Sequence, residues 1–105
     1  HFCMNSKLHT AEMDRLFDAV LSLKDREDCY KFFSDICTAK ELLAMAQRLE
    51  VAILLEGKTT YLDIAEMTGA STASISRVNR CLNYGEDGYL MIFDRLGIKA
   101  DSEKE

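Results

Sequence analysis

Between Thr38 and Gly57 the chain runs through Leu42, Leu43, Met45, Ala46, Leu49, Val51, Ala52, Ile53, Leu54 and Leu55 with no proline or glycine to interrupt it. Thr38 followed three residues later by Glu41 forms a capping box, and Gly57 is a natural C-terminal stop. The pattern predicts a long helix from about Ala39 to Leu55, with apolar side chains on more than one face. A helix in a small domain buries one stripe against its own core, so a second apolar face needs a second cover. The amino-terminal helices are therefore expected to pack against a partner subunit. The alternative is a central helix wholly buried inside one subunit.

The rest of the chain reads as helical too. A chain of 105 residues fits one domain, and a hydrophobic fraction of 48% beside 30% charged residues is that of a globular protein. Thr10 can cap a first helix carrying Met13, Leu16, Phe17, Val20 and Leu21 and ending near Lys24. Asp25 can cap a second, with Cys29, Phe32, Phe33, Ile36 and Cys37 as its apolar stripe. The turn-rich run Asn83-Tyr84-Gly85-Glu86-Asp87-Gly88 leads to a last helix from Tyr89 to about Leu96, stopped by Gly97. Its Tyr89, Leu90, Ile92 and Phe93 are expected to pack back on the core rather than serve a ligand. The acidic tail Lys99 to Glu105 is expected to fray.

Several function classes drop out at this level. No apolar run approaches the roughly 18 to 20 residues that cross a bilayer, and the start lacks a signal-peptide layout, so a cytoplasmic protein without a membrane role is expected. His1, Phe2 and Cys3 precede Met4 and are assigned no role. The four cysteines, Cys3, Cys29, Cys37 and Cys81, make no close CxxC pair, and neither His1 nor His9 completes a ligand spacing, so no metal site is expected. Small buried hydrophobes are the expected role for Cys29 and Cys37, with disulfides the alternative. Asp63 and Glu66 lie three apart on one helix as solvated surface charge. No nucleophile and base share a recognisable spacing, and an enzyme is not expected.

Charge is distributed unevenly. The net charge of −5 argues against bulk coating of nucleic acid, but the balance changes along the chain. Residues 1–57 carry 7 basic and 10 acidic side chains, residues 58–83 carry 3 and 2, and residues 84–105 carry 3 and 6. The one stretch with a positive balance holds the most specific motif. Thr60 can cap a fourth helix containing Leu62, Ile64, Ala65 and Met67; the chain turns through Thr68-Gly69-Ala70; Ser71 can cap a fifth helix running to about Leu82. In a helix-turn-helix from about Tyr61 to Leu82, Ala65 must be small where the second helix crosses, Gly69 suits a positive φ, and Ile75 and Val78 plug the second helix into the first. An ordinary helical hairpin is the alternative.

With Ile75, Val78 and Leu82 turned inward, Thr72, Ala73, Ser76, Arg77 and Arg80 point outward and Asn79 lies at the edge. No acidic residue occurs between Gly69 and Tyr84. Small residues let a helix enter a major groove closely, hydroxyls meet base edges or phosphates, and arginine binds guanine or phosphate. These six residues are the candidate DNA contacts.

At these residues the sequence resembles the Trp repressor superfamily, most closely its YerC/YecD group. The resemblance is densest over Leu42-Leu43-Ala44-Met45-Ala46-Gln47-Arg48-Leu49-Glu50-Val51, Leu54 to Thr59, and Ile64 to Gly85. It implies an all-α, six-helix subunit and an intertwined homodimer, each subunit offering its helix-turn-helix to one operator half-site. The single domain then divides into a dimerisation core (10–57), the helix-turn-helix (60–83) and a C-terminal helix (88–97). In the Trp repressor, tryptophan sits between two arginines beside a glycine. Arg77 matches one arginine, but Gln47 stands where the other would be and Val78 replaces the glycine, which removes a carboxylate contact and fills the slot. Tryptophan is therefore not expected as a cofactor. Ser74, Arg77 and Cys81 form one strip of the fifth helix that, with Gln47, leaves room for a different small co-effector. Leu62 stands where the Trp repressor has a DNA-contacting arginine, which implies a different operator. A DNA-binding transcriptional regulator is the leading expectation; a helical protein-interaction module that docks through the same motif is the alternative.

Overall fold

The computed structural model describes residues 6–98. After a 3-10 turn at Ser6–Leu8 come six helices: α1 (Ala11–Leu21), α2 (Arg26–Ile36), α3 (Ala39–Glu56), α4 (Tyr61–Thr68), α5 (Thr72–Tyr84) and α6 (Gly88–Leu96). No strand occurs among the described residues, so the fold is all-α with the six expected helices. The tail from Lys99 to Glu105 and the first residues, His1 to Cys3, lie outside the described residues.

Short polar side chains set most of the helix starts. The hydroxyl of Thr10 accepts from the Met13 amide at 3.0 Å, and the Asp25 carboxylate accepts from that of Asp28 at 2.8 Å. Each satisfies one of the amides that a first helical turn leaves without a partner. At α3 the box is complete: Thr38 Oγ1 accepts from the Glu41 amide at 3.0 Å while Glu41 Oε1 accepts from the Thr38 amide at 2.8 Å. The end of α3 differs from expectation in one detail. Gly57 has φ −82°, and it is Lys58, at φ 67°, that takes the left-handed conformation. The Thr59 and Lys58 amides then donate to the carbonyls of Leu54 and Leu55, each at 3.0 Å, which is the Schellman closure with lysine in the usual glycine place.

The core lies in the carboxy-terminal half. Val51 and Ala52 of α3, Ile64 of α4, Ala70 of the turn, Ile75, Val78 and Leu82 of α5, and Phe93 of α6 form one buried cluster. Leu49, Ile53, Leu54 and Leu55 pack against it half-buried, so α3 is the shared wall on which α4, α5 and α6 meet. Towards its amino end the same helix is bare, with Leu43 70% exposed and Met45 also exposed. A central helix buried wholly within the subunit is thus not what forms. Neither α1 nor α2 buries any residue, and Phe17, Leu21, Tyr30 and Ile36 are exposed.

Two expectations need correction. Cys29 is exposed and Cys37 only half-buried, both as free thiols, because the apolar stripe of α2 has no complete cover within one subunit. In α6, Phe93 is buried with the Tyr89 ring 6.3 Å away, and Ile92 is half-buried. Leu90 is exposed instead of packed, because Phe93 and Tyr89 take the side that meets the core.

Candidate nucleic-acid interface

The chemistry-bearing stretch is built from α4, a three-residue turn and α5. Thr60 Oγ1 accepts from the Asp63 amide at 3.2 Å and starts α4. The helix ends at Gly69, whose φ of 77° lies in the left-handed region and whose amide donates to the Ala65 carbonyl at 2.9 Å. This is the positive-φ turn that the motif needs. Ala65 packs half-buried against the core where α4 meets α5. Ala70 is buried, which folds the turn inward before α5 begins. Ser71 Oγ then accepts from the Ser74 amide at 3.1 Å and pairs with Ser74 Oγ at 3.1 Å.

Ile75 and Val78 are almost fully buried and Leu82 sits beside them, so α5 is locked in rotation about its axis by three apolar anchors on one side. The opposite side follows from helix geometry. Thr72, Ala73, Ser76, Arg77 and Arg80 are all exposed, and Asn79 is half-buried at the rim. The structure therefore brings all six candidate DNA contacts onto the outer surface of one helix. That helix has no acidic residue in its first turn or anywhere along its length, so its amino end carries partial positive charge with no carboxylate on the helix itself, and its two arginines are exposed. α5 also runs two residues past the expected end, to Tyr84, with the Gly85 amide donating to the Cys81 carbonyl at 2.9 Å.

The possible ligand strip is engaged with the protein itself. Gln47 is half-buried and its Nε2 donates to the Thr68 carbonyl at 3.0 Å. Ser74 is taken up with Ser71, Cys81 is half-buried, and Arg77 alone of the four is exposed. Val78 fills its slot, 2% exposed.

The sequence reading missed Asn83, whose Nδ2 donates to both the carbonyl and the Oδ1 of Asn79, at 2.9 and 3.1 Å. Its four-residue spacing from Asn79 was the available signal. Beside this pair a cleft of about 470 Å³ opens between the end of α3 and the loop before α6, with Lys58 and Asp87 on its walls. A larger apolar hollow of about 680 Å³ lies elsewhere, between α1, α2 and the bare part of α3, and includes Phe17, Ile36 and Met45. Among the described residues no group of three or more His, Cys, Asp or Glu is arranged to hold a metal ion, and no helix is long and apolar enough to cross a membrane.

Comparison with known proteins converges on this architecture. The family model described as Trp repressor protein matches residues 11–97. The Bacillus subtilis (strain 168) chain named "Uncharacterized protein YerC" is 58% identical over 90 residues, covering 86% of each chain. Among solved structures, a TrpR-like protein from Eubacterium eligens ATCC 27750 superposes with a TM-score of 0.88 at 59% identity, covering 90% of this chain and 98% of its own. A Staphylococcus aureus protein superposes with a TM-score of 0.87 at 50% identity, covering 90% and 94% respectively.

Proposed function

Because the chain belongs to the Trp repressor protein family, we propose that it is a non-catalytic, sequence-specific DNA-binding regulator of transcription, acting in the cytoplasm as a homodimer on a two-fold related operator. The observation that carries this reading is the outer face of α5. Five exposed residues of the right size and chemistry sit on a carboxylate-free helix whose rotation is fixed by Ile75, Val78 and Leu82. In this reading Thr72, Ala73 and Ser76 lie nearest the base edges, Arg80 and Arg77 reach phosphate or guanine, and Asn79 stands at the edge of the contact face. A dimer provides cover for α1, α2 and the bare half of α3, and sets two α5 helices in successive major grooves about 34 Å apart. No tryptophan is required, since Gln47 and Val78 occupy the positions that would receive it.

Selection of bound fragments from random duplexes tests the reading. Enrichment of a palindromic or paired half-site supports it. If no such motif emerges and neither Ser76→Ala nor Arg80→Ala alters binding, α5 does not read DNA. One observation favours a second reading, in which the motif docks a protein: Leu62 and Met67 of α4 are strongly exposed apolar side chains beside the turn.

A further inference from the structure

We propose that Gln47 is a positioning residue, which ties the turn between α4 and α5 to the central helix and so sets the pose in which the amino end of α5 is presented. The functional consequence rests on the DNA-binding reading above; the tie itself does not. Thr68 closes α4, and its carbonyl is among the last four of a helix, which have no partner within it. Gln47, 21 positions earlier on α3, supplies that partner through Nε2 at 3.0 Å, in a partly buried setting. The other polar groups of Thr68 are committed as well. Its Oγ1 donates to the Ile64 carbonyl at 2.7 Å and accepts from the Ala70 amide at 3.1 Å. Thr68 is thus a junction. One bond runs back into α4, one runs forward to the buried Ala70 that begins the approach to α5, and one runs across to α3.

The apolar anchors alone do not supply this constraint. Ile64, Ile75 and Val78 hold α4 and α5 against the core by contact, and contact of aliphatic side chains is non-directional. A hydrogen bond to the end of α4 is directional and falls away steeply with misalignment, so it adds a constraint on tilt and slide to the rotation that the apolar anchors fix. Leaving the Thr68 carbonyl without a donor in a partly buried place is also unfavourable in itself, which biases the turn against opening.

The test is amide hydrogen exchange on the full chain, comparing wild type with Gln47→Leu, which keeps the side-chain size and removes the donor, and Gln47→Lys, which restores one. In Gln47→Leu the amides from Gly69 to Ser76 are expected to exchange about two- to tenfold faster, the range of one net hydrogen bond, with α3 and α6 unchanged. Gln47→Lys is expected to stay near wild type. Unchanged exchange in Gln47→Leu overturns the tie, and so does acceleration spread equally over all helices, which marks general destabilisation. Should Gln47→Leu fail to fold, Gln47→Glu, whose carboxylate repels the Thr68 carbonyl, is expected to show the same local acceleration. Titration with the selected duplex adds the functional arm: Gln47→Leu, which leaves the charge unchanged, is expected to bind about two- to tenfold more weakly than wild type. A wild-type chain that binds no duplex removes the DNA reading, while the exchange comparison still decides the tie.

Discussion

Gly69 and Lys58 both hold left-handed backbone, at φ 77° and 67°, yet only one of them is a glycine. The difference has opposite consequences for substitution. A Cβ added at Gly69 meets nothing within 4 Å, so Gly69→Ala is penalised by backbone conformation alone. It is expected to cost about 1 kcal/mol, read as a lower urea midpoint at unchanged slope. Lys58→Gly relieves the same strain and is expected to raise stability by about 0.5 kcal/mol, the gain being trimmed by the extra freedom of the unfolded chain. On the outer face of α5, two substitutions separate base contact from phosphate contact. Arg80→Ala is expected to weaken all duplexes alike and flatten the dependence on salt where Arg80 touches phosphate alone, and to cost about 1–3 kcal/mol at one base position where it reads guanine, as Ser76→Ala is expected to do at its own base. Titrations at two salt concentrations on matched and mismatched duplexes distinguish them. Gly69 was readable in the sequence because a glycine between two capped helices has few other uses. Lys58 was not, because Gly57 one position earlier looked like the stop.

At the level of elements, what sequence discloses is local. Thr10, Asp25, Thr38, Thr60 and Ser71 each cap the helix assigned to them, because a cap is a contact between residues three apart. Removing the hydroxyl of the complete box is a direct check: Thr38→Ala is expected to cost about 1 kcal/mol and to fray the first turn of α3, visible in thermal unfolding and in exchange of the Glu41 amide. The inward and outward faces of α5 were likewise legible from its period. What stayed hidden depends on chain segments far apart in sequence. The bond from Gln47 to Thr68 spans 21 positions. The exposure of Cys29 and Leu90 depends on which neighbours arrive to cover them, and periodicity alone assigns a face without naming its cover.

For the whole molecule, the decisive asymmetry is between a carboxy-terminal half with a core and an amino-terminal half without one. Phe17, Leu21, Ile36 and Leu43 are exposed in the single subunit, an arrangement that is unfavourable in water unless another surface covers it. Sedimentation is expected to give a dimer at micromolar concentration, with a melting temperature that rises with protein concentration; a monomer that unfolds cooperatively and independently of concentration contradicts this. Free tryptophan is expected to change neither melting temperature nor DNA affinity, since Val78 fills the slot and Gln47 is already bonded to Thr68. Calorimetry showing saturable micromolar binding coupled to tighter DNA binding would reverse that conclusion. The same asymmetry bears on how the chain is made. Translation delivers α1 and α2 first, ahead of every buried residue among those described, so the nascent segment emerges with no core to rest on, and helices this short are marginal in water without one. Its apolar side chains stay open at least until α3 to α6 have followed and collapsed. The hazard of aggregation for such a chain is therefore set by how long that segment waits uncovered, and it rises with the number of nascent copies nearby.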